Sequence, residues 1–117
     1  MLFSKIVTNK YGKQEKIFYL TQGDTATFES FPKKDGELIN FDLVEKCLFK
    51  ISDIDYKEIL QKEFDKGSTK FTVTLESSDT FNLPVDKLIY EVEYTFVDGT
   101  VNTPNQGTLQ ILDQVRQ

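Results

Sequence analysis

In residues 88–97, LIYEVEYTFV, bulky apolar side chains fall on alternate positions: Leu88, Tyr90, Val92, Tyr94 and Phe96. Glu91, Glu93 and Thr95 stand between them. A period of two marks a β-strand with one face in a core and the other toward water. A helix would spread the same residues around its circumference. Asp98-Gly99 follows almost at once, and this dipeptide favours the positive φ of tight hairpin turns. The pattern predicts a long central strand, a two-residue hairpin at Asp98-Gly99 and a short return strand, TVNT (100–103). Pro104-Asn105-Gln106-Gly107 then reads as a second loop, with TLQIL (108–112) as the closing strand.

The rest of the chain follows the same grammar. Turn signals stand at Tyr11-Gly12, Gln22-Gly23-Asp24, Pro32 to Gly36, Ser52 to Asp55, Lys66-Gly67-Ser68 and Ser77 to Asp79. A spacing of about a dozen residues suggests an all-β sandwich or barrel rather than strands alternating with helices. Between the turns lie KIFYL (16–20) and DTATFESF (24–31), the latter with Ala26, Phe28 and Ser30 on one face. CLFKIS (47–52) alternates Cys47, Phe49 and Ile51 against Leu48, Lys50 and Ser52, and KFTVTL (70–75) alternates Phe71, Val73 and Leu75 against Lys70, Thr72 and Thr74. DYKEILQKEFDK (55–66) fits two descriptions. Ile59, Leu60 and Phe64 make a short helical face, whereas Leu60, Lys62 and Phe64 alternate as a strand. The strand reading is favoured because KFTVTL follows just beyond Lys66-Gly67-Ser68, as in a hairpin. With 117 residues, the chain suits one domain with its own core. Residues 1–117 are therefore expected to form a single antiparallel β-sandwich of about seven to eight strands.

Composition narrows the chemistry. The chain has no histidine and one cysteine, Cys47. It thus lacks the commonest general base and metal ligand, and it cannot form an internal disulfide. Cys47 is expected on an inward strand face, as a small hydrophobe. Asp53 and Asp55 could offer oxygens to Ca²⁺, but such a site needs about six to eight ligands, so they read as turn formers. The six glycines are isolated, without a phosphate-loop pattern. Neither enzymatic activity nor a cofactor or metal is expected. The net charge of −5, without clustered Lys and Arg, argues against a nucleic-acid partner. No apolar run is long enough to cross a membrane, and the start does not read as a signal peptide. A cytosolic site of synthesis is the expectation. Tyr11, Phe18, Tyr19, Phe31 and Phe41 are not clearly buried by the strand pattern; they either complete the core or form an interface patch.

Several of these stretches occur in a familiar order. Gly23-Asp24-Thr25 precedes an early strand, and Ser78-Asp79-Thr80 and Leu83 precede LIYEVEY. Asp98-Gly99-Thr100-Val101, Thr103-Pro104 and Gly107 to Ile111 follow. This order resembles small immunoglobulin-like β-sandwich domains in virion proteins of phages of Gram-positive bacteria. These include amino-terminal domains of upper-baseplate proteins and accessory proteins of head or tail. The resemblance is clearest over residues 70–112. It implies an immunoglobulin-like sandwich located in the virion, assembled in the host bacterial cytoplasm. Its partners would be other virion proteins of the capsid or of the tail and baseplate, or further copies in a homo-oligomeric array. The candidate docking surface is the amino-terminal segment, with Leu2, Phe3, Ile6 and Tyr11, together with the predicted outward loop bearing Asn102, Thr103, Pro104, Asn105 and Gln106. A carbohydrate- or ligand-binding sandwich, marked by exposed Tyr or Phe near Asp and Asn, is the alternative.

Overall fold

The computed structural model describes residues 2–8, 14–31, 33–34, 37–38, 41–68 and 70–114, with the backbone alone at 2–8, 14–16, 33–34, 37–38 and 104–105. They form β1 (Leu2–Thr8), β2 (Gln14–Thr21), β3 (Ala26–Ser30), β4 (Lys33–Lys34), β5 (Glu37–Leu38), a 3-10 turn (Phe41–Leu43) and β6 (Val44–Ser52). Then come β7 (Glu58–Glu63), β8 (Asp65–Lys66), β9 (Phe71–Leu75), α1 (Ser77–Phe81), β10 (Lys87–Phe96) and β11 (Val101–Leu112). A six-stranded sheet runs β1-β2-β11-β10-β6-β7, and a three-stranded sheet runs β3-β9-β8. β4 and β5 pair as a separate two-stranded ribbon.

The opening stretch is β10, and it lies within the large sheet between β11 and β6. Leu88, Val92 and Tyr94 are buried, and Tyr90 and Phe96 pack against the core from partly buried positions. Glu93 lies on the other face and meets Lys50 at 2.9 Å. Cys47, Phe49 and Ile51 of β6 supply the buried row on one side of β10, and Leu109 and Ile111 of β11 supply the row on the other. From the small sheet, Ala26, Phe28 and Ser30 of β3 and Phe71, Val73 and Leu75 of β9 close the core. The alternation expected in each of these five strands is present because a pleated chain can bury only every second side chain against one opposing layer.

All neighbouring strands are antiparallel except β11 and β2, which run parallel from Thr108↔Ile17 to Leu112↔Thr21. A layer β2-β11-β10-β6-β7 facing a layer β3-β9-β8 is the strand order of an immunoglobulin-like sandwich, and the fold is of that class. Antibody domains join the strands equivalent to β3 and β10 with a disulfide. Here the same two strands are joined by a hydroxyl pair, Ser30 Oγ with Tyr94 Oη. Ser30 is 3% exposed and Tyr94 fully buried. Removing one hydroxyl leaves the other without its partner, so Ser30→Ala or Tyr94→Phe should each cost about 1–3 kcal/mol. The double variant should recover much of that loss, because both buried polar groups are then gone. Urea unfolding of the four proteins measures the coupling; strictly additive losses would mean the two hydroxyls act independently.

Three expectations change. Residues 58–63 are a strand, as favoured, but β7 pairs with β6 and not with KFTVTL. The chain then crosses between sheets at Phe64, and only Asp65 and Lys66 pair with β9. The period-two pattern places Leu60, Lys62 and Phe64 on one face correctly. Lys62 still reaches across the rim of the sandwich to Asp79 (2.6 Å) and to the Thr74 carbonyl (3.0 Å). The Lys62 ammonium and the Glu76 N–H together hold the Asp79 carboxyl below the usual carboxylate range. Second, Ser77 to Asp79 begins the short helix α1, whose Glu76–Asp79 capping box satisfies its first amides.

Third, Pro104 to Gly107 is not a loop. β11 continues through it, pairing Asn105 with Val92 and Asn102 with Tyr94. Thr103 and Pro104 together oppose Glu93, which makes a β-bulge. A bulge admits proline inside a strand because the extra residue need not donate to the ladder.

Candidate docking surface

Strand direction sorts the loops into two ends. One end of the sandwich carries the β10–β11 hairpin, the connection from β3 to β6 and the β8–β9 turn. The other carries the β2–β3 turn, the β6–β7 hairpin and α1.

The two hairpins share one backbone design. At the first, the Phe96 amide donates to the Thr100 carbonyl and the Gly99 amide to the Phe96 carbonyl, both at 2.9 Å. Gly99 has φ +89°, while Asp98 is not in the positive region. The loop is therefore the three residues Val97–Gly99, a tight turn followed by one left-handed residue, rather than the expected two-residue Asp98-Gly99 turn. Asp98 instead accepts from the Thr100 amide and hydroxyl through Oδ1, which holds the loop open by one residue. At the second hairpin, Asp53 and Lys57 close the same pattern, with Tyr56 at φ +63° in the glycine-like position. A left-handed Tyr costs about 1–2 kcal/mol. Asp53 Oδ1 accepts from the Asp55 and Lys57 amides, both at 2.9 Å. That carboxylate is engaged by the turn, as expected of a turn-forming Asp.

Exposed apolar side chains gather at these ends. Phe31, Leu43, Val97 and Val101 lie at the first, between 47% and 60% exposed. The Val97 amide donates to the Leu43 carbonyl at 2.9 Å, so two of the four are held side by side. Ile54, Tyr56, Phe81 and Val85 lie at the second, between 50% and 66% exposed. The sequence carries a faint signal for the first patch: Val97 follows Phe96 without a break, placing an apolar residue where the alternation has ended.

The proposed docking residues are only partly brought together. Asn102, Thr103 and Gln106 are exposed on the first half of β11, and Gln106 donates to Glu91 across the sheet at 3.2 Å. Pro104 and Asn105 continue that strand. β2 pairs with β11 only from Thr108 onward. Among the described residues, no strand pairs with the outer edge of Val101 to Gly107. The amino-terminal segment is the edge strand β1, an element the sequence reading did not assign. Its register puts Leu2 opposite Leu20 and Phe3 opposite Tyr19, toward the second end, and Ile6 opposite Lys16, nearer the first. Leu2 and Phe3 are therefore remote from Asn102. Tyr11 lies outside the described residues.

The unassigned aromatics divide. Phe18 and Phe41 pack against the core, Phe41 lying 4.8 Å from the Phe71 ring with Lys66 above it. Phe31 is exposed. Cys47 is fully buried, and burial pushes its thiol pKa up, so it stays protonated. Among the described residues, no cluster of three or more Cys, Asp or Glu side chains is arranged to hold a metal.

No protein-family model matches the chain, and no curated protein matches it. Among solved structures, it is similar to the extracellular domain of mouse leukocyte-associated immunoglobulin-like receptor 1 in a strand-swapped dimer. The two share 12% identity over 86% of this chain and 84% of that one, with a TM-score of 0.45.

Proposed function

We propose that this chain is a non-enzymatic docking module of a bacteriophage virion, acting on the capsid surface or in the tail or baseplate. The virion assignment rests on the resemblance of residues 70–112. The observation that carries the docking role is the set of exposed apolar side chains Phe31, Leu43, Val97 and Val101 at the end of the sandwich where, among the described residues, no strand pairs with the outer edge of β11. Exposed backbone of that kind accepts an added strand. Many weak contacts of this sort become tight when a symmetric particle presents them together.

The test is electron microscopy of particles made with and without the protein, alongside co-sedimentation of the purified chain with capsids and with tails. Extra density and co-sedimentation that is lost in Val97→Asp/Val101→Asp, with that variant still folded, support the reading. A purified protein that binds neither capsids nor tails overturns it. The ligand-binding alternative is favoured by one observation, an aromatic-lined cleft between the sheets.

A further inference from the structure

Six strands face three, so the β2 side of the large sheet extends past β3, the edge of the small one. At that boundary is a cleft of about 210 Å³. Phe28, Phe49, Phe64 and Val92 are its buried walls. Phe18 and Tyr90 are half-buried and Glu29 is exposed, so the cleft reaches the surface beside β3.

The walls are built of rings. Phe28 stacks on Phe49 at 4.7 Å. Phe18 stands edge-on to Phe28 at 5.6 Å and to Tyr90 at 5.5 Å. Tyr90 packs its ring edge and hydroxyl over Gly107, where an added Cβ would come within 2.7 Å of both. The Tyr90 hydroxyl has no hydrogen-bond partner among the described residues, whereas Glu29 is already paired with Lys70 at 3.1 Å. An apolar cavity of about 150 Å³ is enough to take up benzene, and aromatic walls favour edge-to-face and offset contacts with a flat guest.

We propose that this cleft binds a small planar aromatic molecule carrying one polar substituent. Its ring would lie among Phe18, Phe28 and Phe49, and its polar group would meet the Tyr90 hydroxyl. The test titrates phenol and benzene separately into the full chain and follows amide and aromatic NMR signals. Saturable shifts confined to the cleft residues are expected, with phenol bound about threefold to tenfold more tightly than benzene through one added hydrogen bond. Tyr90→Phe should erase that preference and keep benzene binding. Val92→Phe should fill the cleft and abolish binding of both probes; Val92→Leu, a smaller filling, should weaken both and guards against a Val92→Phe protein that does not fold. Absence of saturable shifts at millimolar probe, or binding unchanged by Val92→Leu, overturns the proposal. The titration uses the isolated chain, so its result is separate from whether the protein docks on a virion.

Discussion

Phe49→Ala is expected to lower folding stability by about 3–5 kcal/mol, the largest effect of any single substitution considered for this chain. Phe49 is 1% exposed and ties the two sheets together through rings. It meets Phe28 of the small sheet at 4.7 Å, Phe64 at the sheet crossing at 5.9 Å and Tyr90 of β10 at 6.0 Å. Truncation removes those contacts and leaves a void. Because Phe49 also borders the inter-sheet cleft, the new space joins an existing one and cannot easily collapse. The loss should fall in the upper part of the range, since the cost grows with residual cavity volume. Domains are commonly stable by only about 5–15 kcal/mol, so the variant should sit close to unfolding at room temperature. The urea midpoint measures it, with Phe31→Ala as the comparison. Phe31 is 47% exposed, and its truncation should change stability by no more than about 0.5 kcal/mol. Similar midpoints for the two variants would sink the idea that the inter-sheet ring stack anchors the core.

Thr80→Val should cost about 1–3 kcal/mol, because two half-buried backbone groups each lose a hydrogen bond worth about 0.5–1.5 kcal/mol. Thr80 of α1 is fully buried. Its Oγ1 accepts from the Gly23 amide at 3.1 Å and donates to the Asp24 carbonyl at 2.7 Å, with the Ser77 carbonyl at 3.2 Å as a second acceptor. Ser77 Oγ adds a bond to the Gly23 carbonyl at 2.6 Å, and Gln22 Nε2 donates to the Leu83 carbonyl at 2.8 Å. A five-residue helix has little stability of its own, so these side-chain bonds are what hold α1 against the β2–β3 turn. Valine keeps the shape of threonine and removes the hydroxyl. Thr80→Ser keeps the hydroxyl and removes a methyl, for about 1 kcal/mol. Hydrogen exchange at the Gly23 amide should accelerate in the valine variant and not in the serine one. A serine variant no more stable than the valine one would show that the methyl counts for at least as much as the hydroxyl at this site, against this account.

Ser78-Asp79-Thr80 reads as a turn because Ser, Asp and Thr bond to nearby backbone, and the side-chain bonds are indeed there. What the spacing does not reveal is that Thr80 points inward, toward a turn more than fifty residues earlier in the chain. Pro104 misled in the opposite direction. Proline, Asn and Gly together have the composition of a loop, yet one bulge against Glu93 lets the strand run through them.

Which side chains face inward is written in the order of residues: Ala26, Phe28 and Ser30; Cys47, Phe49 and Ile51; Phe71, Val73 and Leu75; Leu88, Val92 and Tyr94. That is a local property, because successive side chains of a pleated backbone must alternate. The tertiary structure alone decided which strand lies beside which. β7 turned to β6 rather than to KFTVTL, β2 joined β11 in parallel, and residues Val101 to Leu112 became one strand whose first half, among the described residues, is unpaired on its outer edge. Backbone amides and carbonyls are the same in every strand, so local sequence cannot choose among partners. Burial of the ring cluster between two unequal sheets makes that choice, and the same inequality leaves the cleft beside β3.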